Sequence, residues 1–180
     1  MMKYSAPATF ALCLLCVSSG LSAANADKDK DKDKEAAMAA NEDAFTYSIY
    51  IGTNPAAVWS SLIDKEVVSK YYLAPLTSIE PREGGSLSYG DGMITGKILT
   101  WEPNAVLRHT FLFAGSGAEE TTVEYRLEPA ADSDKVTLLT ITHTGLEKAP
   151  DIRQHISSGW VTILSSLKTL LETGKVIQWK

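Results

Sequence analysis

The sequence predicts an α+β domain in which a curved antiparallel sheet wraps around a long C-terminal helix. Three observations lead there. Short alternating segments between Phe45 and His143 are joined by hairpin-length turns, the pattern of an antiparallel sheet. A single apolar stripe then runs from Asp151 to Thr173 with helical spacing. Strands followed by one terminal helix belong to the α+β class.

Each element has its own signal. Phe45, Tyr47, Ile49 and Ile51 alternate with polar neighbours, which predicts a first strand with one buried face. Asn54 or Thr53 caps a helix over Ala56–Ile63, and Pro55 fits its first turn. Val58, Trp59, Leu62 and Ile63 give that helix an apolar side. A second helical piece, Glu66–Tyr72, leads to Leu73-Ala74-Pro75. Strands follow at Thr77–Glu80, Ser86–Tyr89, Met93–Trp101, Ala105–Phe113, Thr121–Glu128 and Val136–His143. Gly84-Gly85, Gly90-Asp91-Gly92, Glu102-Pro103-Asn104 and Gly115-Ser116-Gly117 are the turns between them. In Thr121–Glu128, Val123, Tyr125 and Leu127 face one way and Thr122, Glu124, Arg126 and Glu128 the other. The helix stripe is Ile152, Ile156, Trp160, Ile163, Leu164, Leu167, Leu170 and Leu171, stopped by Gly174-Lys175. At 1.5 Å per residue it spans roughly 33 Å, enough to cross a curved sheet.

Composition bounds the function. The chain has 180 residues, 17 Lys+Arg against 22 Asp+Glu, a net charge of -5 and an apolar fraction of 44%. This is the globular range, and the acidic balance excludes a nucleic-acid binder that relies on a basic surplus. Residues 1–26 read as a secretory signal peptide: Lys3, an apolar core Phe10–Val17, and Ala24-Asn25-Ala26 before the cut. The core is too short for a membrane span, which needs about 20 residues. Both cysteines, Cys13 and Cys16, lie in that segment, so cleavage leaves no disulfide, thiolate nucleophile or Cys-ligated zinc. Residues 27–40 are four Asp-Lys repeats and an Ala-rich stretch, read as a solvated tether. The folded domain is expected over residues 41–180 of an exported protein, periplasmic or secreted.

The order of these elements, with several local motifs, resembles the START-like (SRPBCC) superfamily, whose fold is the helix-grip. Thr53-Asn54-Pro55-Ala56-Ala57-Val58-Trp59 opens the first helix, and Gly96-Lys97-Ile98-Leu99-Thr100-Trp101-Glu102-Pro103 precedes Val106-Leu107. Val136–Gly145 and the run from Gly159-Trp160 through Leu170-Leu171-Glu172-Thr173-Gly174-Lys175 complete the match. Within the superfamily the chain is similar to the activators of heat-shock protein ninety ATPase homologues, in their bacterial single-domain form. Members are usually cytosolic, whereas this chain reads as exported, to compartments without an ATP-driven chaperone of that type. Fold does not fix function.

No enzyme motif stands out. Gly115-Ser116-Gly117 sits in a hairpin and lacks the frame of a nucleophile elbow. No phosphate loop is present, and no cofactor or metal is expected. Hairpin centres near residues 117 and 132 place His109 level with Tyr125 and Leu139, about 16 Å from His143, too far to share an ion. His109 shares a face with Leu107, Phe111 and Phe113 and is expected inward, either as a buried neutral imidazole or as a polar anchor in a cavity. His143 lies at a strand end, where orienting the following loop is its expected role. His155 precedes Gly159 by one helical turn, at a cavity rim or on open helix surface.

The resemblance implies a cavity between helix and sheet. Its candidate wall is Tyr71, Tyr89, Trp101, His109, Phe111, Phe113, Tyr125, His155, Gly159 and Trp160. Three functions follow as expectations. The first is non-catalytic binding of a small hydrophobic molecule. The second is a protein-interaction module with an exposed apolar patch. The third is a cyclase- or hydratase-type enzyme, for which His109 and Tyr125 are the polar pair to test.

Overall fold

The computed structural model describes residues 44–117, 119–148 and 150–178. The expected signal peptide (residues 1–26) and Asp-Lys tether (residues 27–40) lie outside the described residues. Seven strands form one antiparallel sheet: β1 Phe45–Ile51, β2 Leu76–Ile79, β3 Ser86–Tyr89, β4 Ile94–Glu102, β5 Val106–Phe113, β6 Thr121–Ala130 and β7 Ser133–Thr144. The spatial order is β1-β7-β6-β5-β4-β3-β2. Two short helices, α1 (Pro55–Ile63) and α2 (Lys65–Tyr71), connect the outermost strands, and α3 (Pro150–Thr173) closes the chain. This is the expected helix-grip architecture.

Local chemistry explains the helix starts. Asn54 accepts from the Ala57 N–H at 2.9 Å, capping α1 with Pro55 at its first position. Asp64 ends α1 and caps α2 through the Val67 N–H at 2.9 Å. One short element escaped the sequence reading: a 3₁₀ turn at Leu146–Lys148, whose Leu146 is fully buried.

The core lies between the concave sheet face and α3. Leu139, Ile141 and His143 of β7, Val123, Tyr125 and Leu127 of β6, and Leu107, His109 and Phe111 of β5 point inward. Trp160, Ile163, Leu164 and Leu167 of α3 pack onto them. The far end of α3 is tied to β1. Lys168 Nζ donates to the Tyr50 carbonyl at 2.7 Å, and Glu172 accepts from the Gly52 N–H at 2.7 Å. Lys168 also pairs with Glu172, and these partners hold the Glu172 carboxyl below its ordinary range.

The register corrects one expectation. His109 pairs with Val123, and Val123 pairs with His143. The two histidines are therefore level, two strands apart, or about 10 Å at ~4.8 Å per strand. The hairpin centres lie one residue from their expected places: the β5–β6 turn is centred at residue 116, and β6 and β7 pair through a shift at Pro129/Ala130. A one-residue error in a centre moves the register by two. The distance still exceeds what one metal ion bridges.

β4 and β5 approach closely at Gly96. A Cβ there would sit 2.0 Å from the Thr110 carbonyl oxygen, so only glycine fits.

Candidate functional site

Trp160 stands at the centre of the helix–sheet interface, and a directed chain of hydrogen bonds holds it. Its indole N–H donates to His143 Nδ1 at 3.0 Å. His143 Nε2 lies 2.7 Å from Thr121 Oγ1, and Thr121 Oγ1 donates to the Phe111 carbonyl at 3.0 Å. Indole only donates, so Nδ1 must accept and the imidazole proton must sit on Nε2. The chain links α3, β7, β6 and β5 through fully assigned donors and acceptors. Protonating His143 would set two N–H groups against each other. Burial, and secondarily His109, lower its pKa to about 3. The expected loop-orienting role of His143 gives way to holding Trp160.

His109 is also buried. Its Nδ1 donates to the Thr110 carbonyl at 2.7 Å, and no described residue reaches Nε2. Burial lowers its pKa to about 4, against the favourable pull of that carbonyl. Its ring stacks on Tyr125 with centroids 6.1 Å apart, and no hydrogen bond joins the two.

Four tyrosines fill the neighbouring space. Tyr72 stacks on Tyr89 at 4.8 Å and meets Trp160 edge-on at 6.0 Å. Tyr125 meets Trp160 edge-on at 5.9 Å. Tyr71 donates to the Ser61 carbonyl at 3.0 Å. Burial pushes all four phenols up, so they stay protonated at neutral pH.

Next to this layer lies a cavity of about 460 Å³, within the size range of small-molecule sites. Its depth is formed by Ala74, Ile94, Phe111, Trp160 and Ile163, all buried. Tyr72, Ile156 and Gly159 form the sides. Leu73, Met93, Phe113 and His155 stand at the mouth, where Leu73 is 66% exposed and Met93 47%.

Of the ten residues expected in the wall, Phe111, Phe113, His155, Gly159 and Trp160 meet around the cavity. The other five lie elsewhere. Tyr71, Tyr89, His109 and Tyr125 sit in the buried layer behind it. Trp101 packs edge-on against Trp59 of α1 at 4.9 Å, because its strand end extends past the cavity. Tyr72, Leu73, Ala74, Met93, Ile94, Ile156 and Ile163 line the cavity without having been singled out. One signal for them was available. Tyr71-Tyr72-Leu73-Ala74 is an apolar run that outlasts its helix, so its side chains need another surface to cover.

Residues 52–172 match the family described as "Activator of Hsp90 ATPase homolog 1-like protein". The chain belongs to this family. Solved structures share the fold of this chain. CalU16 from Micromonospora echinospora is 22% identical, with 71% of this chain and 73% of that chain covered and a TM-score of 0.60. The Aha1 dimer from Colwellia psychrerythraea is 21% identical over 73% of this chain and 98% of that chain, with a TM-score of 0.59. An HSP90 activator from Plasmodium falciparum is 14% identical over 72% and 96%, with a TM-score of 0.61. No curated protein matches the sequence.

In this family member Gly159 lies within the continuous α3 helix, at the cavity wall. A Cβ there would meet only the Leu73 Cδ1 tip, at 3.6 Å. Packing therefore does not require glycine, although glycine inside a helix costs about 1 kcal/mol relative to alanine. Gly159→Ala is expected to stabilise the domain by roughly 0.5–1 kcal/mol in urea unfolding. Gly159→Leu is expected to fill the cavity while leaving the exposed mouth in place.

Proposed function

We propose that the domain carries a small hydrophobic molecule in this cavity without transforming it, and that it does so as an exported protein. The carrying observation is the cavity of about 460 Å³ with its almost wholly apolar wall. The acid–base inventory supports binding over chemistry. His109 and His143 are buried and held neutral, the phenols are pushed up, the pair named for catalysis lies behind the wall, and His155 stands at the mouth, outside the apolar depth. A hydratase or cyclase needs a proton donor or acceptor facing its substrate.

A second reading, protein docking like that in the names of the Aha1 and HSP90-activator structures, draws on the exposed Leu73, Met93 and Phe113.

The test is native mass spectrometry of the protein purified from its own host without refolding. Added mass that is lost on denaturation supports the carrier reading. A bare mass, together with no uptake of any apolar probe, overturns it. Gly159→Leu separates the two readings: it should abolish ligand uptake and leave docking to a protein intact. The same spectrum reads export, because a mature chain starting at Asp27 supports it and one starting at Met1 overturns it.

A further inference from the structure

The cavity wall is polar in composition only at one end. Two of its aromatic residues, Trp160 and Tyr72, carry polar heads, and the first is already bonded within the protein. The Trp160 indole N–H is spent on His143 at 3.0 Å. Tyr72 stacks on Tyr89 at 4.8 Å and meets Trp160 edge-on at 6.0 Å. Ala74, Ile94, Phe111 and Ile163 add only carbon side chains to the depth, and the wall as a whole is almost wholly apolar. At the mouth the situation reverses. His155 is exposed, lines the opening, and its ring has no hydrogen-bond partner among the described residues.

Resting on the carrier reading above, we propose that the ligand is a single-headed amphiphile, an aliphatic carboxylic acid whose chain fills the cavity and whose carboxylate lies at the mouth against His155. The division follows from desolvation. An ionised group placed in the depth would lose its water against an almost wholly apolar wall, which is strongly unfavourable. At the mouth a carboxylate keeps most of its hydration and gains an imidazole N–H. The deep end therefore selects against polarity, and the open end tolerates it.

The test is calorimetric titration of the full domain with three probes of equal length: decanoate, decanol and decanedioate. Decanoate is expected to bind best. Decanedioate, which must bury its second carboxylate, is expected to bind at least roughly a hundredfold more weakly. Replacing the exposed His155 in His155→Ala is expected to weaken decanoate about three- to fivefold, the size of one partly solvated hydrogen bond to a carboxylate, and to leave decanol unchanged. Decanedioate binding as tightly as decanoate would overturn the apolar-depth argument. Equal loss of decanoate and decanol in His155→Ala, or no loss of either, would overturn the role of His155. In both cases decanol binding would leave the carrier reading standing. Failure of all three probes, and of larger apolar probes, would instead sink the carrier reading itself.

Discussion

Trp160→Ala is expected to cost the domain roughly 4–6 kcal/mol and to abolish retention of any cavity ligand, from the loss of a large buried side chain and of its hydrogen bond. Trp160 is only 2% exposed, so its removal merges the cavity with the core instead of letting solvent or neighbours fill the gap. It also strands His143 Nδ1, which has no other donor among the described residues. Trp160→Phe separates the two effects, because it keeps most of the volume and loses only the N–H; about 1–2 kcal/mol is expected. Urea unfolding of both variants checks this. If Trp160→Ala lies within about 1 kcal/mol of the parent, the chain from Trp160 to Phe111 does not act as a unit in the folded domain.

Acid should destabilise the domain well before its carboxylates titrate. In the unfolded chain both histidines take up protons below about pH 6.5. In the folded domain His109 does so only near pH 4 and His143 near pH 3. Across that window the unfolded state binds more protons, so stability falls as the pH falls. At pH 5 each site contributes about 1.5 pH units of deficit, and the pair removes roughly 4 kcal/mol relative to pH 7.5. That is a large share of the 5–15 kcal/mol typical of a domain. Urea melts at pH 7.5 and 5 measure it directly. His109→Gln is expected to remove about half of the pH dependence, since it deletes one of two titrating groups. A flat profile from pH 7.5 to 5, with both imidazoles titrating near 6.5 by NMR, would show that the interior accommodates their charge.

Most of the fold was legible because its signals are local. Alternation placed β1 from Phe45 to Ile51 without error, and the Asn54-Pro55 pair placed the start of α1. The stripe from Ile156 to Leu171 described α3, since a 3.6-residue period has no other home. Register was less legible. Nothing local at Gly115–Gly117 says which residue centres the hairpin, and the shift at Pro129/Ala130 is a property of two strands together. The site was legible in part for the same reason. Phe111 and Trp160 lie on faces that periodicity identifies, so their place against the cavity follows from the pattern. Tyr72, Leu73 and Met93 lie at the ends of elements, where no periodicity operates and only tertiary packing decides what they cover. The Trp160–His143 bond was hidden more deeply: it joins a helix to a strand through side-chain chemistry that neither pattern encodes.

The strand order has a consequence for how the chain reaches this state. β1 is made first, yet its sole strand partner is β7, the last to be made; Ser48 and Thr140, hydrogen-bonded across that pair, are 92 residues apart. The final helix then anchors to the same strand through Lys168 and Glu172. Such pairings pay their loop-closure entropy before they return any contact, which slows folding. The opening strand must therefore wait, unpaired, until nearly the whole domain has been synthesised. Its docking with β7 and α3 then becomes the late, cooperative step that commits the chain to its native form.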